Sequence, residues 1–291
     1  MHTSNASAAQ RSYLVGLVGK DIQQSKSPFM HEQEARELDM LLLYQLLDLA
    51  VLKRDVDALA DLLDSAELMG FAGLNITHPC KQAVIPLLHE LSEEARAIGA
   101  VNTVRFAGGR RHGYNTDALG FADSFRRGLP DAPLERVVQI GAGGAGAATA
   151  YAMLSLGASH LCIVDTVPGR AAALVQNLAK AFDRTRLSVG SDAGSALLEA
   201  QGLVHATPTG MRQYPGLPLP AAALHAGLWV AEIVYFPLET ELLKAARDRG
   251  CRTLDGGGMA VFQAAAAFEI FTGVAADRAR MLRQFSEIPE N

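Results

Sequence analysis

The stretch that most constrains this chain runs from Arg136 to Ala148: Arg136-Val137-Val138-Gln139-Ile140, then Gly141-Ala142-Gly143-Gly144-Ala145-Gly146, then Ala147-Ala148. An apolar, β-branched run followed by clustered glycines and small residues reads as a buried strand, a tight turn and a closely packed helix. Gly141, Gly143 and Gly146 fit G-x-G-x-x-G. In that pattern the first glycine makes the turn, the second lets the backbone approach a pyrophosphate, and the third permits close helix–strand contact. The phosphates would rest on free N–H groups at the helix start, around Gly144 and Ala145. A second apolar run, His160 to Val164, ends in Asp165, about twenty residues past the last glycine, where an acid accepts from the ribose hydroxyls of a dinucleotide. The plainer role for Asp165 is to cap a helix starting near Pro168. The order strand, glycines, helix, strand, acid favours the dinucleotide.

A length of 291 residues suggests two domains with ample cores. Nothing approaches the roughly 18 consecutive apolar residues of a membrane span. The net charge of −5 lacks the basic footprint of a nucleic-acid binder. Small molecules are the expected partners. Met1 to Arg11 lack the basic start and apolar centre of a signal peptide and read as a frayed tail. Cys80, Cys162 and Cys251 form no CxxC pair, which fits a reducing compartment and makes the cytoplasm the default. His31-Glu32-Gln33-Glu34-Ala35 begins like a zinc helix but lacks the second histidine, so no metal is expected.

From the N-terminus, Tyr13 to Val18 reads as a buried strand. Ser27 then reads as an N-cap and Pro28 as the first helical residue of a helix to about Leu38. Hydroxyls at Ser25 and Ser27 beside that helix start suit a small carboxylate, although simple capping accounts for them. Leu42 to Leu49 reads as a strand and Leu52 to Ala66 as an amphipathic helix. Asn75, Thr77 and Lys81 then fall at a strand end and the following helix start, the place where α/β sheets put ligands. A lysine in a first helical turn opposes the dipole, and its plain reading is a solvated side chain. Glu93 to Ile98 reads as a helix, and Gly108-Gly109 as the turn of a hairpin. Asp117 opens a helix to Gly128, where it could be a mere helix starter. Further strands are expected at Leu203 to Ala206, Leu228 to Val234 and Arg252 to Leu254, with helices from Thr240 to Arg249 and Met259 to Phe271.

Taken together, Ser25-Lys26-Ser27-Pro28, Asn75-Ile76-Thr77-His78-Pro79-Cys80-Lys81, Gly99-Ala100-Val101-Asn102-Thr103 and Asn115-Thr116-Asp117 occur in a telling order. The glycine loop, Ala206-Thr207-Pro208-Thr209-Gly210-Met211, Val234-Tyr235-Phe236-Pro237 with Thr240, and Gly258-Met259-Ala260-Val261-Phe262-Gln263-Ala264 continue it. From Tyr13 onward the chain resembles the shikimate dehydrogenase family, and most closely its quinate/shikimate dehydrogenase branch. The resemblance implies an α/β architecture with a discontinuous substrate domain (12–116 and 258–291) and a Rossmann dinucleotide domain (117–257). A C-terminal helix would return to the first domain.

By the same resemblance, Lys81 and Asp117 are the catalytic pair. Ser25 and Ser27 hold the substrate carboxylate, while Thr77, Asn102, Gln263 and, more loosely, Tyr235 meet its other polar groups. Thr207, Gly210, Met211, Val234 and Gly256 line the cofactor beside the glycine loop. The implied reaction passes a hydride between a nicotinamide and a ring hydroxyl of shikimate or quinate, a small hydroxy acid, in a monomer or homodimer. Where the commoner members carry Asn-Arg-Thr for the 2′-phosphate of NADP, this chain has Asp165-Thr166. An aspartate accepts from a free 2′-hydroxyl and repels a phosphate, so NAD is expected over NADP, with Arg170 as a nearby cation. The alternatives are a dehydrogenase restricted to shikimate or an amino analogue, a non-catalytic binding or regulatory relative, and a methyltransferase that would leave Lys81 and Asp117 unexplained.

Overall fold

A computed structural model describes residues 11–288, so nearly all of the tail expected at residues 1–11 lies outside the described residues. The first half builds β1 (Ser12–Gly19), α1 (Ser27–Glu37), β2 (Leu41–Asp48), α2 (Leu49–Leu52), α3 (Leu59–Leu68), β3 (Gly73–Ile76), α4 (Cys80–Ala83), β4 (Glu90–Leu91), α5 (Glu93–Ile98), β5 (Thr103–Ala107) and β6 (Arg110–Tyr114). These strands form one mixed sheet in the order β2-β1-β3-β5-β6-β4. β1 pairs in parallel with β2 and β3, while the β5–β6 hairpin runs antiparallel to β3. Its turn uses Gly108 and Gly109, both at positive φ, which glycine adopts without a Cβ penalty.

The second half builds α6 (Thr116–Gly128), β7 (Arg136–Ile140), α7 (Gly144–Ser155), β8 (His160–Val164), α8 (Arg170–Leu178), β9 (Leu187–Val189), α9 (Ala193–Leu197), β10 (Gly202–His205), β11 (Trp229–Glu232), α10 (Glu241–Asp248), β12 (Arg252–Leu254), α11 (Gly257–Thr272) and α12 (Arg278–Ser286). Its sheet, β12-β11-β10-β7-β8-β9, is parallel throughout. The chain runs outward from β7 through β8 to β9 and then resumes on the other side of β7 at β10. That reversal opens a crevice at the carboxyl ends of β7 and β10, the ligand position of a doubly wound sheet.

The fold is thus an α/β sheet joined to a Rossmann-type sheet, with α11 returning to the first. Val261, Phe262, Ala264, Ala265 and Phe268 of α11 share one core with Val15, Leu17, Leu42 and Tyr44 of β1 and β2. The buried Phe268 and Phe271 rings each contribute roughly 1.5–3 kcal/mol of burial before ordering costs. On its other side α11 meets α6 at Gly120, where a Cβ would lie 2.6 Å from Gln263 N and 2.8 Å from Met259 O. Only glycine lets the two helices approach so closely.

Two local expectations are corrected. The segment read as one helix from Leu52 to Ala66 is broken into α2, a 3-10 turn at Val56–Ala58 and α3. Lys53 takes a left-handed conformation (φ 53°) and ends α2, and Asp55 is extended. Ser27 does not cap α1 but lies inside it; Lys26 is at the cap position without a side-chain bond. Instead Ser25 Oγ accepts from Ser27 N at 3.3 Å, which leaves the Ser27 hydroxyl free of capping.

Candidate active site

Lys81 sits on the short α4, just beyond the carboxyl end of β3, and its main-chain carbonyl accepts from Val101 N at 2.8 Å. Asp117 sits in the first turn of α6. It is not the helix starter: Asn115 caps α6 by accepting from Asp117 N at 3.1 Å and Ala118 N at 3.3 Å. With capping done elsewhere, the Asp117 carboxylate is available, and Lys81 Nζ donates to its Oδ2 at 2.5 Å. Both side chains are largely buried, at 20% and 9% exposure. In such surroundings a charge-assisted bond is stronger than on a wet surface. Asn102 Nδ2 donates to the other oxygen, Oδ1, at 2.9 Å.

The pair lies against the dinucleotide crevice. A Cβ on Gly144 would lie 3.7 Å from Lys81 Cδ, so the lysine stem faces the start of α7. The three motif glycines play three different parts. Gly141 has φ +105°, and a Cβ there would meet Ala206 O at 2.4 Å and Thr207 Cγ2 at 2.9 Å. A Cβ on Gly146 would meet Gly141 O at 2.3 Å, whereas one on Gly143 would meet open space. The start of α7 carries no side-chain cap, so its N–H groups remain for an anion. This cradle fits the diphosphate of a dinucleotide. Ala145 is half-buried in the same first turn.

Asp165 follows β8 with its side chain 7% exposed. It does not cap α8, whose cap residue is Gly169. Oδ2 accepts from Ala142 N of the glycine turn and Oδ1 from Val167 N, each at 2.8 Å. Each oxygen keeps acceptor capacity. Arg170 Nη1 stands 3.8 Å from Oδ1, half-exposed on the solvent side.

A buried polar cluster that the sequence reading passed over completes the crevice floor. His205, at the end of β10, places Nδ1 2.9 Å from both Glu232 carboxylate oxygens and Nε2 2.5 Å from Thr207 Oγ1. Glu232 also accepts from Val234 N and the Thr240 hydroxyl. The signal was present in the sequence: a histidine and a glutamate ending two otherwise apolar strands. Val234 and Gly256 meet as well, since a Cβ on Gly256 would lie 2.6 Å from Val234 O. Gly210 has φ +96°, accepts no Cβ without strain, and donates to Tyr214 O at 2.7 Å; Met211 N donates to Pro208 O at 3.1 Å. Both shape the loop after Thr207.

On the substrate side, Thr77 is half-buried beyond β3, its methyl against Gly19, with its N–H donating to Val18 O. Ser25 and Ser27 are half-buried in the loop before and the first turn of α1. Burial opposes charge on Asp48, but bonds from Gln23, Ala50 N, Ile22 N and Asp21 N hold its carboxyl below the usual range and pin that loop. Tyr235 is 43% exposed overall. Its phenol is pushed up by lost hydration and then by the charge of Asp117, which places it in the field of the pair. Gln263 is half-buried on α11, not sealed between helices, and its Nε2 donates back to Ala260 O at 2.9 Å. Of the residues expected to meet the substrate, Asn102 bonds Asp117 directly and Tyr235 lies in its field.

Residues 17–104 match the shikimate dehydrogenase substrate binding domain and residues 256–284 the shikimate 5'-dehydrogenase C-terminal domain. A shikimate dehydrogenase (NADP(+)) of Streptomyces avermitilis is 56% identical, with 96% of this chain and 97% of that protein covered. The chain belongs to the shikimate dehydrogenase family. A quinate/shikimate dehydrogenase (NAD(+)) of Corynebacterium efficiens is 46% identical, with coverage of 94% and 98%. Among solved structures, quinate dehydrogenase from Corynebacterium glutamicum in complex with NAD superposes with a TM-score of 0.91 at 43% identity, covering 96% of this chain and all of that one. No helix among the described residues is long and apolar enough to cross a membrane.

Proposed function

We propose that this protein is a quinate/shikimate dehydrogenase that uses NAD in preference to NADP. The observation that carries the reading is the Lys81–Asp117 bond of 2.5 Å set against the start of the glycine-loop helix. A nicotinamide bound there exchanges a hydride with a ring carbon of the substrate. Lys81 handles the accompanying proton. In reduction its ammonium gives a proton to the carbonyl oxygen as that oxygen gains charge, and in oxidation the neutral amine takes the proton from the hydroxyl. Asp117 holds the lysine with Oδ2 while Asn102 fixes Oδ1. Ser25 and Ser27 receive the substrate carboxylate, and Thr77, Tyr235 and Gln263 meet its hydroxyls.

In this reading the segments 12–116 and 258–291 carry the substrate and 117–257 the dinucleotide. The preference for NAD rests on Asp165: its carboxylate sits at the tip of β8, where a 2′-phosphate would meet like charge, against which the half-exposed Arg170 is a partial offset. The similarity to proteins named for either cofactor makes this a point for measurement. Initial rates with quinate and with shikimate, each with NAD and with NADP, test it. Turnover of either acid with a higher kcat/KM for NAD supports the reading. A higher kcat/KM for NADP overturns the cofactor assignment, and no turnover with either acid overturns the activity.

A further inference from the structure

A continuous chain of buried side chains runs from Tyr44 to Asp117, and the direction of every hydrogen bond in it is fixed. Asn75 Nδ2 lies 3.3 Å from the main-chain carbonyl of Asn102. A carbonyl only accepts, so the amide nitrogen is on that side and Oδ1 faces Tyr44. The Tyr44 hydroxyl therefore donates to Asn75 Oδ1, at 2.7 Å. Onward, Asn75 Nδ2 donates to Thr103 Oγ1 at 3.0 Å, and Thr103 donates to Asn102 Oδ1 at 3.0 Å. Asn102 is oriented by Thr116 N, a main-chain donor 2.8 Å from the same Oδ1. Its nitrogen is thereby turned toward Asp117 Oδ1. Every donor from Tyr44 onward points the same way, toward the carboxylate that grips Lys81.

We propose that Tyr44 is a positioning residue, holding the Asp117 carboxylate of the Lys81–Asp117 pair in place through this chain. The proposal rests on the dehydrogenase reading above. Tyr44 is buried on β2 and touches neither Lys81 nor Asp117. Its effect passes through Asn75, Thr103 and Asn102, whose hydrogen-bonding groups are saturated within the chain and hold one arrangement. Without the Tyr44 hydroxyl, Asn75 Oδ1 loses its buried donor, and Asn75, Thr103 and Asn102 are no longer locked in the arrangement that turns Asn102 Nδ2 toward Asp117.

Tyr44→Phe keeps the ring and removes the hydroxyl. It is predicted to lower kcat about tenfold with KM changed by less than about threefold, the loss of one net buried hydrogen bond expressed at the reacting pair. In a Thr103→Val background the same substitution is predicted to have no further effect on kcat, because the chain is already cut between Tyr44 and Asp117. Thr103→Val interrupts the chain at another link and should give the same kcat loss, which covers a Tyr44 variant that fails to fold. An unchanged kcat in both variants overturns the proposal, as does an equal loss from Tyr44→Phe with and without Thr103. Turnover by the unmutated enzyme tests the functional reading separately.

Discussion

His31 lies beneath the serine loop on α1 and is 1% exposed. Its Nδ1 stands 3.0 Å from the Ser27 main-chain oxygen, which can only accept, so the ring proton resides on Nδ1. Nε2 is buried with no hydrogen-bond partner among the described residues. The ring is surrounded by Tyr44, Phe268 and Phe271 at centroid distances of 4.8, 6.2 and 6.2 Å. A proton added at Nε2 would be a buried charge without an acceptor. Burial accordingly pushes the pKa down to about 4, and the Ser27 bond offsets only part of that. In the unfolded chain the same imidazole titrates near about 6.5. Between those values the unfolded state binds more protons than the folded one, so stability falls as the pH drops through the window from 6.5 toward 4. Above pH 6.5 both states are neutral and His31 adds no pH dependence. Integrated from pH 7.5 to pH 5, the loss is about 2 kcal/mol. His31→Asn keeps a donor toward Ser27 O and removes the titration. Urea unfolding at pH 7.5, 6.5, 5.5 and 5.0 should find the variant less stable at pH 7.5 through lost ring contacts. The native protein should then lose about 2 kcal/mol more than the variant on going to pH 5. Parallel stability curves for the two proteins would refute the reasoning.

Three further substitutions probe the dinucleotide crevice. Gly146→Ala puts a Cβ 2.3 Å from Gly141 O, so α7 must move off β7; NADH affinity by fluorescence titration should fall at least about tenfold, and unchanged affinity would show that the close approach is dispensable. Asp165→Asn removes the charge while keeping an acceptor for the glycine turn. The ratio of kcat/KM for NADP to that for NAD should rise by about tenfold or more, with Arg170→Glu moving the ratio the other way; a constant ratio would remove Asp165 from cofactor selection.

What could be read in the sequence was local. The glycine turn declares itself because a positive φ at Gly141 and a missing Cβ at Gly146 are demands on single residues. The strands β8 and β12, the helix α5 and the hairpin turn at Gly108-Gly109 fall where composition and turn chemistry put them. The α1 cap was misassigned because the helix begins one residue earlier than expected, with Lys26 at the cap position and its carbonyl accepting from Met30 N, so that Ser27 falls inside the first turn. The helix expected from Leu52 broke where Lys53 turned left-handed, an event to which apolar periodicity is blind. Lys81 and Asp117 were legible as motif residues, but their contact spans 36 positions. The Tyr44–Asn75 and Asn75–Thr103 links and the His205–Glu232 pair join residues 31, 28 and 27 positions apart. Polar residues in apolar strands gave the hint; only the fold supplies the partner.

The most direct test is Lys81→Ala, assayed with whichever acid and cofactor the native protein turns over best. With the proton donor and acceptor gone and the carboxylate subsite intact, kcat is predicted to fall by about 10²- to 10⁴-fold while KM stays within a few-fold of its native value. A kcat near the native value with a large rise in KM would contradict this, leaving Lys81 a substrate-binding residue and the 2.5 Å bond to Asp117 a structural ion pair.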